Sequence, residues 1–231
     1  MQNKGSKIFL SGGGDKKDSY FWDIEFVKEV VARKKAILYI PLATKSDTNK
    51  FESCYDWIVN SLTSITEEFI DIVMWTNLDN KTYDSLSKFS AIYIGGGNTF
   101  KLLNHIYNSN FYNVLKEYIK RGGIVYGGSA GAIILGKNIN TVHEENDRNY
   151  KYEKGLSIMG EYSVICHYEK NLDFNINKYL KTYNNPVIAL SEKSGLIIEG
   201  EKAKVFGTYP AIIFNNNGEK IILNVGKEFI L

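Results

Sequence analysis

Three short apolar runs in this chain each end in consecutive glycines, and that pattern restricts the fold more than any other feature. Ile8-Phe9-Leu10 leads into Ser11-Gly12-Gly13-Gly14, Ala91-Ile92-Tyr93-Ile94 into Gly95-Gly96-Gly97-Asn98, and Ile124-Val125-Tyr126 into Gly127-Gly128-Ser129. Two similar runs, Ala36–Ile40 (closed by Pro41) and Phe69–Val73, lie between them. Short apolar runs bounded by turn-forming residues read as buried strands. The intervening segments Phe21–Arg33, Asn49–Leu62 and Phe100–Arg121 carry apolar residues at helical spacing. Strands alternating with helices predict an α/β fold, a parallel sheet with helices on both faces. Ligands of such sheets bind beyond the carboxyl ends of the strands. The three glycine turns all sit at such ends, so three loops converge on one rim.

The last third changes character. Tyr162–Cys166, Val187–Leu190, Leu196–Ile198, Lys204–Phe206, Ile212–Phe214 and Lys220–Val225 are closely spaced strand candidates, with a hairpin signal at Asn215-Asn216-Asn217-Gly218. They are expected to add partly antiparallel strands along one edge. Nothing resembling a linker separates them, so residues 1–231 are expected to form a single domain.

Composition narrows the function classes. A net charge of +2, from 28 basic and 26 acidic residues, leaves no electrostatic footprint for nucleic acid. Cys54 and Cys166 lie far apart without metal-ligand spacing, so neither a disulfide framework nor a structural zinc site is expected. No apolar stretch approaches the roughly 18 residues of a membrane span, and the first residues do not read as a signal peptide. The expectation is a cytoplasmic protein, monomer or homodimer, with no membrane or nucleic-acid partner.

The third glycine turn carries the chemistry. Gly127-Gly128-Ser129-Ala130-Gly131-Ala132 fits the G-x-S-x-G nucleophile elbow, where small residues allow a strained strand-to-helix turn that lifts a serine hydroxyl above the sheet. A serine nucleophile needs a base, ordinarily histidine. Of three histidines, His105 falls inside a helical segment, His143 in the polar stretch Thr141–Asn149, and His167 at the end of the run Tyr162–Cys166. His167 therefore reaches the same kind of rim as Ser129. Glu192, just past Val187–Leu190, is the leading orienting acid; Glu144 and Asp147, in the polar loop after the elbow, are the alternatives. The oxyanion amides fall to Ala130, next to the serine, and to Gly96 or Gly97. Gly95–Thr99 lacks the endings of a nucleotide-binding loop, so no cofactor is expected.

With these pieces in order the chain resembles the peptidase E family of serine peptidases, family S51, which look like class I glutamine amidotransferases with serine in place of the nucleophilic cysteine. Ile94–Leu103, Gly127–Ala132, Cys166-His167-Tyr168 and Ala189-Leu190-Ser191-Glu192 carry the resemblance. It implies a class I glutamine amidotransferase-like, flavodoxin-like fold and a Ser129-His167-Glu192 triad, with Glu144 as the other acid. It assigns the oxyanion amides to Gly97 and Ala130. The implied activity is hydrolysis of small peptides, including aspartyl dipeptides, without metal or organic cofactor. The family's aspartyl dipeptidases carry basic side chains soon after the histidine to hold the substrate carboxylate. Here the segment reads Tyr168-Glu169-Lys170-Asn171-Leu172-Asp173-Phe174, leaving Lys170 or Lys181 as substitutes. Two other readings stand beside this one: an amidotransferase-like hydrolase of a non-peptide amide or ester, and a non-catalytic binding member of the fold.

Overall fold

Side-chain alternation along the central strands decides how this chain folds. In the computed structural model, which describes residues 5–44, 48–142, 144, 146 and 148–231 (only the backbone of 48 and 49), twelve strands fall into two sheets. In chain order the elements are β1 (Lys7–Ser11), α1 (Tyr20–Arg33), β2 (Ile37–Ile40), α2 (Thr48–Thr63), β3 (Ile72–Met74), α3 (Tyr83–Leu86), β4 (Ala91–Ile94), α4 (Thr99–Asn108), α5 (Phe111–Lys120), β5 (Ile124–Gly128) and α6 (Ala130–Ile133). They continue with β6 (Ser163–Ile165), α7 (Asp173–Tyr183), β7 (Val187–Ala189), β8 (Ser194–Glu199), β9 (Lys202–Gly207), β10 (Ala211–Phe214), β11 (Lys220–Leu223) and β12 (Glu228–Ile230).

The large sheet runs β12-β9-β8-β1-β5-β4-β2-β3. Its β1, β5, β4, β2 and β3 are parallel, as the recurring apolar runs predict, and β8, β9 and β12 join antiparallel beyond β1. Both faces are covered. Ile8, Leu10, Leu38, Ile40, Ile92, Ile94 and Val125 pack against Leu102, Leu103, Leu115 and Ala132 of α4, α5 and α6. The intervening Phe9, Ile37, Tyr39, Ala91, Tyr93, Ile124 and Tyr126 pack against Trp22, Phe26, Ile58 and Leu62 of α1 and α2. Residues i and i+2 share a face of a strand, so near-continuous apolar runs are what a sheet buried on both sides requires. The α1/α2 face is rich in aromatic rings, the other aliphatic.

The C-terminal strands depart from expectation in one respect. They do not all extend one edge: β10 and β11 pair with β7 and β6 in a second sheet, order β11-β10-β7-β6. Val164, Ile188 and Ile213 of this sheet face the aliphatic core, while Ile165, Val187, Ala189 and Phe214 pack on Ile176, Tyr179 and Leu180 of α7. Short apolar runs can serve in either sheet, which is why their assignment is not legible locally. The hairpin at Asn215–Gly218 forms as expected, with Gly218 at φ +82°. The helical segment Phe100–Arg121 is two helices, because Asn110 adopts a left-handed conformation (φ 57°) between α4 and α5.

Candidate active site

The elbow is built as its small residues require. Ser129 sits between β5 and the single turn α6 at φ 50° and ψ −110°, a region that costs an ordinary side chain about 1–3 kcal/mol. Hydrogen bonds hold it there. Its amide donates to the Ser11 carbonyl at 3.1 Å, and its carbonyl accepts from the Ala132 and Ile133 amides at 2.8 and 3.0 Å. Only glycine fits on either side: a Cβ on Gly131 would stand 2.2 Å from the Ile94 carbonyl oxygen, and one on Gly127 would stand 2.5 Å from that of Gly131.

His167 emerges just after β6, in the small sheet. Its amide donates to the Gly12 carbonyl at 2.8 Å, and the amide of Tyr168 to the Leu190 carbonyl at 3.0 Å, so the histidine is pinned between the ends of β1 and β7. The imidazole bridges two side chains. Nε2 lies 2.8 Å from the Ser129 hydroxyl and Nδ1 lies 2.8 Å from Oε1 of Glu192, which stands in the turn between β7 and β8. A carboxylate offers only acceptors, so Nδ1 carries the proton and Nε2 presents its lone pair to the serine hydroxyl. The His167 and Glu192 side chains are about half exposed, at 48% and 52%.

A feature that sequence reasoning missed supports this chain of contacts. Gly12, Gly13 and Gly14 back onto its parts one after another. A Cβ on Gly12 would lie 2.0 Å from the Ser191 carbonyl oxygen, one on Gly13 2.2 Å from Cε1 of His167, and one on Gly14 3.0 Å from Cβ of Glu192. The signal was there, three glycines at a strand end, but a turn signal does not say what the turn touches.

The second glycine loop closes over the serine. Gly95 donates to the Ile40 carbonyl and Asn98 to the Ala43 carbonyl, at 3.0 and 2.9 Å. Gly97 takes φ +131°, and a Cβ on Gly96 would stand 3.2 Å from that of Ser129. Among the described residues no hydrogen bond engages the amides of Gly97 or Ala130. The Ala130 amide is free by geometry, being the first of a helix.

The remaining candidates stand elsewhere. Glu144 accepts from the Thr99 amide at 2.6 Å at the start of α4, beside the Asn98 side chain that caps Lys101, and is not on the imidazole. His105 lies in the last turn of α4, where burial and then Lys101 lower its pKa. His143 and Asp147 lie outside the described residues. Lys170 borders a hollow beyond His167, and Lys181 is exposed on α7. Cys166, next to the histidine, is no rival nucleophile: burial, then Glu144, push its thiol pKa up, and it donates to the Ser129 and Ser11 carbonyls at 3.5 and 3.6 Å. Among the described residues, no group of three or more His, Cys, Asp or Glu is arranged to hold a metal ion, and no helix is long and apolar enough to cross a membrane.

Comparison with known proteins identifies the family. The model of peptidase family S51 matches residues 8–206, which include Ser129, His167 and Glu192. The chain belongs to peptidase family S51. It is accordingly a hydrolase of the peptidase type. Among its S51 relatives, peptidase E of Shewanella denitrificans is 23% identical over 219 residues, covering 89% of this chain and 88% of that one. A probable alpha-aspartyl dipeptidase of Drosophila melanogaster is 26% identical over 148 residues, 58% of this chain and 60% of its own length. The crystal structure of a peptidase from an acI-B1 actinobacterium superposes with a TM-score of 0.78 at 20% identity, over 99% of this chain and 98% of that chain, which shows a shared fold.

Proposed function

We propose that this S51 peptidase hydrolyses small peptides with Ser129 as nucleophile, His167 as general base and then acid, and Glu192 as its orienting acid. The observation that carries this reading is the unbroken relay from the Ser129 hydroxyl through both imidazole nitrogens to the Glu192 carboxylate, each link 2.8 Å. His167 takes the hydroxyl proton as Oγ attacks the scissile carbonyl, and Glu192 stabilises the imidazolium that results. The carbonyl oxygen, now negative, is held by the amides of Gly97 and Ala130. Collapse of the tetrahedral intermediate breaks the C–N bond, and His167 gives the proton to the leaving nitrogen. Water, activated by the same imidazole, then hydrolyses the acyl-enzyme.

The participants come from strands of both sheets, which supports treating residues 1–231 as one domain. Two unpaired cysteines fit a reducing compartment such as the cytoplasm. Incubation with a fluorophosphonate probe, followed by peptide mapping, tests the reading directly. Labelling at Ser129 that parallels loss of peptide hydrolysis is expected; hydrolysis that survives full labelling would overturn it.

A further inference from the structure

A pocket of about 410 Å³ opens beside Ser129, Gly96 and Gly97, reaching down between the sheet and helices α1 and α2. Its wall is aromatic, made by Tyr39, Trp57, Tyr93 and Tyr126. Tyr93 and Tyr126 stack with centroids 4.2 Å apart, and Tyr39 and Trp57 meet Tyr93 edge-on at 5.8 and 6.5 Å. A second hollow, of about 490 Å³, lies beyond His167 and Glu192 and borders neither Ser129 nor the Gly96–Gly97 loop. Both hollows border His167, but of the two the aromatic pocket alone reaches Ser129, which carries the acyl group, and the Gly96–Gly97 loop, which holds the acyl oxygen in the proposed mechanism, and this puts the acyl side there.

The polarity of this pocket is set from behind. Ser19 and Tyr126 contribute hydroxyls to its lining, and both give their protons to the buried carboxyl of Asp23, at 2.6 Å each. The Trp22 indole N–H donates to the Tyr126 oxygen at 2.9 Å. A hydroxyl has one proton, so what Ser19 can still offer a ligand is oxygen lone pairs. One hydrogen bond further in stands the Asp23 carboxylate. No lysine or arginine is among the described residues that line the pocket. An acidic side chain entering here would find the hydroxyl-bearing residues Ser11, Ser53, Tyr39 and Tyr93, no lysine or arginine among the described lining residues, and a like charge behind them. An ammonium or guanidinium would meet hydroxyl oxygens, an opposite charge and the aromatic rings of the wall.

We infer that this pocket is a subsite for a cationic side chain, lysine or arginine, on the acyl side of the cut bond. The inference rests on the peptidase reading for its placement, though not for the chemistry of the pocket. It departs from the aspartyl preference that the family resemblance implies.

The test compares dipeptides and chromogenic amides carrying lysine, arginine, norleucine or aspartate on the acyl side. Norleucine matches lysine in length without its charge. Lysine should exceed norleucine in kcat/KM by about tenfold or more, the scale of a desolvated cation–π contact with a nearby opposite charge, and aspartate should be the poorest. Asp23→Asn should bring the lysine and norleucine values together. If that variant fails to fold, Trp57→Ala at the half-exposed mouth serves instead, and should narrow the ratio through the KM for lysine. Norleucine or aspartate equalling lysine would overturn the subsite, and so would a ratio unmoved by the substitution that folds. Calorimetry of lysinamide and norleucinamide with Ser129→Ala protein separates the two readings. Selective lysinamide binding with no turnover by the parent enzyme would remove the peptidase role and keep the pocket; turnover confined to neutral or acidic residues would do the reverse.

Discussion

Gly13 and His167 are packed so closely that the glycine admits no side chain: a Cβ there would stand 2.2 Å from Cε1 of the imidazole. Because Gly13 also takes φ +113°, its replacement is penalised by the backbone and by the ring together. Gly13→Ala should therefore displace the imidazole and lower kcat by about a hundredfold, the cost of roughly 1 Å of misplacement. Steady-state kinetics beside a thermal melt will check this; an unchanged kcat would mean that the loop does not hold the ring.

Removing the nucleophile should separate chemistry from folding. Ser129→Ala is expected to lower kcat by on the order of 10⁴ to 10⁶, with a melting temperature close to that of the parent protein. The hydroxyl's hydrogen bond runs to a half-exposed imidazole, so little stability depends on it. Turnover and circular dichroism on the same sample decide the matter.

The two acids should respond differently. Glu192→Gln keeps the shape but can present an amide N–H toward Nδ1, favouring the wrong tautomer, and kcat should fall by up to about 10⁴. Glu144→Gln should leave kcat nearly unchanged and cost at most about 1 kcal/mol, because its carboxylate serves the Thr99 amide at the start of α4. Urea denaturation and kinetics on both variants give the comparison. A reversed pattern would move the acid role to Glu144.

Much of this arrangement is legible in the sequence. Ser129 follows from the elbow motif, His167 and Glu192 from their positions at strand ends, and the structure brings all three together at hydrogen-bonding distance. The parallel strands and the elbow glycines followed from apolar runs and steric need. Three things did not follow. The division of the last strands between two sheets depends on packing partners far away in sequence. The break at Asn110 depends on one residue's tolerance of positive φ. The role of Gly12–Gly14 depends on what stands opposite them, which local pattern never encodes.

Asp23 provides a prediction about pH. Burial pushes its carboxyl pKa from an ordinary 3.8 up to about 6, partly offset by hydrogen bonds from Ser19 and Tyr126. Between those values the folded protein binds more protons than the unfolded chain, so this group's contribution makes stability fall as pH rises through the window. The full loss, about 3 kcal/mol at roughly 1.4 kcal/mol per tenfold, is reached above about pH 6. Other carboxyls titrate in the same range, so the quantity to read is the difference between parent and Asp23→Asn proteins. Measured by denaturant midpoint, the variant's relative stability should climb between about pH 4 and 6 and then level off. A flat difference would mean that burial does not raise the Asp23 pKa.

The serine stands at the end of β5 in the large sheet, whereas the histidine and glutamate follow β6 and β7 in the small one. On the proposed triad, turnover is thus a gauge of how the two sheets sit against each other. A substitution that lets them slide by a fraction of an ångström, even one deep in the shared aliphatic core around Val164 and Ile188, should silence the enzyme while every strand remains intact. In heating experiments, inactivation should accordingly precede the loss of secondary structure.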